Sequence, residues 1–334
     1  MDYWTLSYDA QIERLTTLAH AALAAWGIPP KSVELVSYAN NAVFRVHDGH
    51  FDYGLRVYRP GQKDLATIQA EQAWLRLPSM PRVPVPARPL YHGALDGVDG
   101  PVTCSVWYWI PGEVVVPANL TPQQVRQIGM LMARFHGVSA DGVDALVRRD
   151  PVLAHRPRLD YEGLFGERSP YNPGAGSQYI SAASQTVLDE VAEQVRGVMQ
   201  QMDGDESAFG LIHGDFIFKN TLFTPEGDVA AIDFDDCGFG YYLYDVACPL
   251  LFYKPLPDYE TLMAALWDGY TAVRPLPKRY RAHLEVLVAG RYVASCRWVA
   301  GNAEHPNIRG KAREIIDGRV AELQDFLQTG RLSS

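Results

Sequence analysis

The sequence predicts an α+β protein of two lobes, a small antiparallel-sheet lobe followed by a mostly helical one. Three observations carry this. Short β-prone runs with a hairpin turn between them crowd residues 33–58. Apolar stripes at helical spacing dominate the chain beyond residue 250. A length of 334 residues is more than one hydrophobic core takes. The lobes are placed at residues 1–111 and 112–334.

Hydrophobic residues at 47% and charged residues at 21% are the balance of an ordinary soluble globular protein. The net charge of −9 argues against broad binding to nucleic acid or to an acidic membrane. It is compatible with a neutral or cationic substrate. Cys104, Cys237, Cys248 and Cys296 contain no C-x-x-C pair, so neither a zinc site nor a disulfide framework is expected. The opening MDYWTLSYDAQIERL lacks a basic segment followed by an apolar one, and no run approaches a membrane span. A cytoplasmic protein with reduced thiols is expected.

In the first lobe Ile12, Leu15, Leu18, Ala19, Ala22, Leu23 and Trp26 recur at helical spacing, and Gly27 with Pro29-Pro30 ends that helix. Strands are expected over 33–37, 42–46 and 53–58, the last two joined by His47-Asp48-Gly49-His50. Asn40 and Asn41 lie between the first two strands. Amide residues there either let the backbone approach a phosphate or make an ordinary β-turn, and the loop has no glycine. Arg56 lies on an alternating strand. On the inner face its cation would meet phosphate oxygens; on the outer face it is a solvated strand arginine. Residues 67–77 read as a helix carrying Glu71, and the proline-rich 78–89 as a rigid extended connector. Strands at 91–93 and 101–110 follow. The second ends in Trp107-Tyr108-Trp109-Ile110-Pro111-Gly112. That is either a hinge between lobes, with backbone groups of Tyr108, Trp109 and Ile110 free to bond an adenine, or an aromatic core strand ending in a turn.

In the second lobe Thr121-Pro122 opens a helix whose Val125, Ile128, Leu131, Met132 and Phe135 share one face. His136, near its end, reads as a satisfied structural histidine. Residues 148–176 lack periodicity and hold His155, Arg156, Arg158, Asp160, Tyr161 and Glu162. They read as a long loop able to shape a substrate pocket. A helix is expected over 181–202, and stripes within 259–270, 284–293 and 315–326 predict a helical subdomain.

The stretch from Leu211 to Leu250 carries the densest chemistry. Leu211-Ile212 is a short strand delivering His213-Gly214-Asp215 into a turn, with Asn220 five residues on. Thr221 to Phe223 and Val229 to Ile232 read as a hairpin that ends at Asp233, so Asp215, Asn220 and Asp233 converge at one end of it. Acids framed by apolar residues suggest a built site, because buried carboxylates are rare unless paired or metal-bound. Phosphoryl transfer needs such a set: one carboxylate to orient a hydroxyl, and an amide oxygen and a second carboxylate for Mg²⁺. A hairpin with surface acids and a two-metal hydrolase using His213 are the competing readings. No second His/Asp cluster of suitable spacing supports the latter.

His213-Gly214-Asp215-x₄-Asn220 followed by Ile232-Asp233-Phe234-Asp235 resembles the aminoglycoside phosphotransferase and choline kinase-like superfamily, which has the protein-kinase-like fold. Asp233 to Gly240 with Tyr244-Asp245-Val246-Ala247 look closest to the branch holding the bacterial stress-response Ser/Thr kinase and homoserine kinase type II. The resemblance implies ATP and Mg²⁺ as cofactors and Asp215 as catalytic base. It implies Asn220 and Asp233 as metal ligands, Asp235 as a further candidate, and Asp245 as a brace of the catalytic loop. It also implies that Arg56 and Glu71 pair to orient the phosphates, and that Trp107 to Ile110 are the adenine hinge. Two features depart from protein kinases: Arg56 stands where they carry lysine, and the 37–41 loop lacks their glycines.

The acceptor is open. The long 137–212 segment and the lack of an Ala-Pro-Glu segment after Asp236 favour a small enclosed molecule, such as an amino alcohol, sugar or aminoglycoside. The nearest branch favours a protein serine or threonine. A non-catalytic nucleotide-binding regulator is the third reading, although neither base nor metal ligand is missing.

Overall fold

The computed structural model describes residues 3–38, 41–78, 80–167, 169, 171–304 and 308–332; Asn40, a candidate phosphate-loop residue, lies outside them. Two compact units result, Met1–Leu77 with Val83–Pro111, and Pro78–Arg82 with Gly112–Ser334.

The first unit begins with α1 (Tyr8–Ala25), capped by the Ser7 side chain. Five strands follow: β1 (Ser32–Tyr38), β2 (Ala42–His47), β3 (Asp52–Val57), β4 (Tyr91–Ala94) and β5 (Pro101–Tyr108). They form one antiparallel sheet in the order β1-β2-β3-β5-β4. The hairpin between β2 and β3 closes because Asp48 Oδ1 accepts the amides of His50 and Phe51 (both 2.8 Å). Period-two alternation turns Phe44, Val46, Leu55, Val57, Val102, Cys104 and Val106 into a core completed by Leu15, Leu18, Ala22 and Leu23 of α1. Between β3 and β4 lies α2 (Leu65–Leu75), whose cap Asp64 accepts the Thr67 amide at 2.7 Å. The proline-rich connector pairs with β5 through Ala87 N–H to Val106 O.

The second unit is mainly helical. Its α3 (Pro122–Gly137) starts in a capping box in which Thr121 and Gln124 exchange side-chain-to-backbone bonds of 3.3 and 2.9 Å. Next come α4 (Val143–Arg149), β6 (Arg158–Leu159), α5 (Tyr161–Phe165) and α6 (Ala182–Met202). Residues 148–176, expected as an aperiodic loop, are thus built from short elements and 3₁₀ turns, too brief for periodicity to register. β7 (Phe209–Ile212), β8 (Thr221–Phe223) and β9 (Val229–Ala231) hold the central stretch, with β8 and β9 as the expected hairpin. β10 (Gly238–Tyr241) pairs antiparallel with β7 and parallel with β6. It runs directly into α7 (Tyr242–Tyr253), then α8 (Tyr259–Val273), α9 (Leu284–Gly301) and α10 (Ala312–Thr329). α7 lies inside the unit, with nearly every residue buried and Pro249 in its interior. A helix apolar on all sides has no stripe to detect, which is why the sequence did not reveal it. Among the described residues no helix is long and apolar enough to cross a membrane.

Candidate active site

β7 ends at a turn whose backbone only glycine accommodates easily. Gly214 has φ +79°, and a Cβ there would lie 2.6 Å from the Asp236 carbonyl oxygen. The turn is fixed from below by Asp245 of α7, a fully buried carboxylate. Its Oδ2 accepts the His213 amide at 2.7 Å and its Oδ1 the Gly214 amide at 2.8 Å. It also meets His136 Nε2 at 3.0 Å, while His136 Nδ1 meets the Tyr270 hydroxyl at 2.8 Å. A neutral His136 satisfies both: Nε2–H donates to Asp245 and Nδ1 accepts from Tyr270. Burial pushes the His136 imidazole down, against the pull of Asp245. Burial opposes charge on Asp245 too. The hydrogen bond from His136, with His213 and its amide, nevertheless holds that carboxyl below its usual range.

His213 is occupied in the same way. Its Nε2 reaches the Ile232 carbonyl at 2.9 Å and its Nδ1 receives the Asp215 amide at 3.3 Å. Both ring nitrogens serve the backbone, so His213 is a scaffold for the turn and leaves no nitrogen for a metal.

Asp215, Asn220 and Asp233 come together as the hairpin geometry requires. Asn220 Nδ2 donates to the Asp215 carbonyl (2.9 Å) and to its Oδ2 (3.1 Å). The Ile232 amide donates to the Asn220 carbonyl at 2.9 Å, which draws the end of the hairpin, and Asp233 with it, beside Asn220. Asp233 is exposed and left-handed (φ 63°, ψ 64°); among the described residues it is the non-glycine with positive φ. Such a conformation costs about 1–3 kcal/mol and persists where surrounding structure dictates it. Asp235 is buried and Asp236 half-buried in the following turn. Arg156, buried, holds that turn by donating to the carbonyls of Asp235 (2.8 Å) and Cys237 (Nε, 2.8 Å). Arg156 thus braces the acidic turn, where the sequence had suggested a pocket-shaping loop residue.

The Asp215 carboxyl is pushed up by burial, held back by Arg291, and pushed up further by Asp236 and Asp233. Arg291, on α9, lies 2.8 Å from Asp215 Oδ1. It was not among the sequence candidates. The available signal was one arginine inside the apolar run Val286 to Cys296. Tyr171, from the loop after α5, is buried and feels the charges of Asp236, Arg291 and Asp215.

The donor set suits a hard divalent cation. Asn220 turns its amide nitrogen to Asp215, so its oxygen and the Asp233 carboxylate are the groups that could hold such a cation. Among the described residues no three His, Cys, Asp or Glu groups cluster to cage a metal. Two protein oxygens completed by phosphate oxygens is the arrangement Mg²⁺ favours.

In the first unit, Arg56 and Glu71 form a buried pair, Nη1 to Oε1 3.1 Å, and Tyr58 donates to the other Glu71 oxygen at 3.0 Å. The Arg56 guanidinium also lies over the Trp107 ring at 4.8 Å. Arg56 is therefore buried, on the face of β3 opposite the Leu55 and Val57 core, and is not a solvated strand arginine. Asn41 Oδ1 accepts the Arg59 amide at 3.0 Å and ties the loop before β2 to the chain after β3. Tyr108 is exposed at the end of β5, its amide donating to Val85 O, and the Trp109 amide donates to Asp52 O. Of the three amides from Tyr108 to Ile110, two are thus spent within this unit. The Ile110 amide has no backbone partner among the described residues.

The chain matches the model of the "Phosphotransferase enzyme family" over residues 32–283. It is 25% identical to hydroxylysine kinase of Bos taurus over 259 residues, 67% of this chain and 63% of that protein. The structure is similar to that of a microcompartment-associated aminopropanol kinase, with TM-score 0.78 and 24% identity over 95% of this chain and 99% of the other. It is also similar to amicoumacin kinase hAmiN, solved in complex with AMP-PNP, Ca²⁺ and Ami (TM-score 0.74, 18% identity, 98% of each chain). The fold is therefore the α+β, protein-kinase-like one.

Proposed function

The chain belongs to the phosphotransferase enzyme family, and from that premise we propose that it is an ATP- and Mg²⁺-dependent kinase of a small hydroxyl-bearing molecule, an amino alcohol first among them. The observation that carries the reading is the joint placement of Asp215, Asn220 and the left-handed Asp233 at one end of the β8–β9 hairpin.

Asp215 orients the acceptor hydroxyl and receives its proton late. The acceptor oxygen bonds to the γ-phosphorus as the bond from that phosphorus to the bridging oxygen breaks, and ADP departs with the electron pair. Asn220 Oδ1 and Asp233 would hold Mg²⁺, whose chemistry there is neutralisation of charge on the phosphate oxygens. In the other unit, Arg56, kept in place by Glu71, supplies a cation for the phosphates. Ile110 offers the remaining hinge amide for the adenine.

A small acceptor is supported by two features. β10 begins two residues after Asp236, so the chain has no activation loop there to seat a peptide. The 137–212 segment brings Tyr171 against the acidic turn. The Asp236 carboxylate beside it suits an amine on the acceptor, as do the names of the aminopropanol and hydroxylysine kinases.

Transfer from ATP is to be measured over ethanolamine, 1-amino-2-propanol, hydroxylysine, a sugar, an aminoglycoside and casein. Turnover is expected with an amino alcohol, lost on chelation of Mg²⁺ and reduced about 10²–10⁴-fold by Asp215→Asn with nucleotide binding kept. Labelled casein with no small-molecule product would transfer the assignment to a protein kinase. Nucleotide binding without any turnover would make the chain a regulator.

A further inference from the structure

Arg291 is 6% exposed in the middle of α9, among the buried residues Leu287, Val288, Gly290, Tyr292 and Val293. Arginine is almost never buried this far without partners. Here the partners belong to the catalytic turn. Nη2 donates to Asp215 Oδ1 at 2.8 Å. Nη1 donates to the Gly214 carbonyl and to the Tyr244 hydroxyl, both at 3.2 Å. The guanidinium thus grips the turn by backbone and side chain together, and Tyr244 of α7 holds the grip from the far side.

The Asp215 carboxylate is consequently held at both oxygens, Oδ1 by Arg291 and Oδ2 by Asn220 Nδ2 at 3.1 Å. Each oxygen keeps a lone pair for another donor. The two side chains differ in access: Arg291 is 7% exposed and Asp215 is 28% exposed. The arginine therefore reaches the carboxylate from the protein side and leaves its open side to an incoming hydroxyl. A planar guanidinium with several donors can fix the plane of a carboxylate, which a lysine ammonium cannot. α9 in turn packs against α6, α7 and α10, so the layer of helices around the acceptor segment sets the orientation of the base.

We propose that Arg291 is a positioning residue for phosphoryl transfer, which locks the Asp215 carboxylate in the plane that receives the acceptor hydroxyl. This rests on the reading of Asp215 as the base. Arg291→Met and Arg291→Lys are to be compared with wild type and Asp215→Asn. Turnover is read with 1-amino-2-propanol and ethanolamine as acceptors, and in parallel as hydrolysis of the γ-phosphate by water. Loss of positioning predicts about a 100-fold fall in kcat for Arg291→Met, with KM for ATP nearly unchanged. Arg291→Lys, which keeps charge but not the fork, should retain about tenfold more activity than the methionine variant. Should Arg291→Met fail to fold, Tyr244→Phe removes one anchor without removing charge. It is expected to lower kcat several-fold at unchanged KM and unchanged folded fraction. Wild-type kcat in Arg291→Met, or in Tyr244→Phe where that variant must stand in, would overturn the proposal while Asp215→Asn stays inactive. So would losses in Met and Lys variants that merely track their folded fraction. Full activity in Asp215→Asn, or no turnover by wild type, would overturn the base itself and the clamp with it.

Discussion

Asp215 and Asp245 show how differently two carboxylates of one motif are used. Asp245 is spent on geometry: two amides and an imidazole converge on it, and its charge is favoured by those donors despite burial. His136 completes that brace in its neutral form, and this has a pH consequence. Its folded pKa is depressed by burial, so below the unfolded value of about 6.5 the unfolded chain binds a proton that the folded chain does not. Stability is therefore expected to fall as pH drops through 6.5, by at most about 1.4 kcal/mol per pH unit from this group. Urea midpoints measured from pH 8 to pH 5 should show the decline in wild type and a shallower one in His136→Asn. Equal slopes would mean that His136 titrates normally. Asp245 adds a second acid-side loss further down, as its lowered carboxyl is protonated below the ordinary carboxylate range.

At the scale of elements, the contact between α3 and α8 shows how backbone proximity decides a substitution. Gly129 in α3 faces α8 so closely that a Cβ would stand 2.2 Å from the Leu266 carbonyl oxygen. In an exposed helix, Gly→Ala stabilises by about 1 kcal/mol through propensity. Here the neighbour is backbone and cannot give, so Gly129→Ala is expected to destabilise by about 1–3 kcal/mol in chemical denaturation. A stabilised variant would show that the two helices can separate at little cost. Elements with a one-sided burial pattern were readable in advance: α1, α3, α6, α8 and β2 all carry the expected alternation or stripe. β10 and α7 were not, because residues buried on every side have no periodic contrast.

For the whole molecule, the division of labour lies in what needs ligand and what does not. The proposed metal site has two protein oxygens and waits on phosphate for the rest, so the fold should not depend on the cation. Chelator alone is expected to leave the thermal midpoint of the purified protein unchanged. Mg²⁺ with ATP at a hundred times its dissociation constant should stabilise by about 2.7 kcal/mol and raise the midpoint by several degrees. A midpoint lowered by chelator would instead indicate a resident structural metal. ATP stabilising equally with and without Mg²⁺ would remove Asn220 and Asp233 from the nucleotide complex.

The sequence by itself determined what short-range chemistry can specify. Alternation placed the sheet, caps and stripes placed most long helices, and the spacing from His213 to Asp233 placed Asp215, Asn220 and Asp233 at one end of a hairpin. The two-lobed α+β class and the family resemblance follow from these. Only tertiary structure decided what reaches the site from afar. Arg291 meets Asp215 across 76 residues, Arg156 meets Asp235 across 79, and Tyr270 meets His136 across 134. A local pattern reports which face of an element is buried, not which distant partner meets a charge there. Arg291 could be noticed in its apolar run, but its contact became visible only when the fold laid it against the His213-to-Asp215 turn. Asp215 therefore acquires its orientation from a helix that the motif itself does not contain.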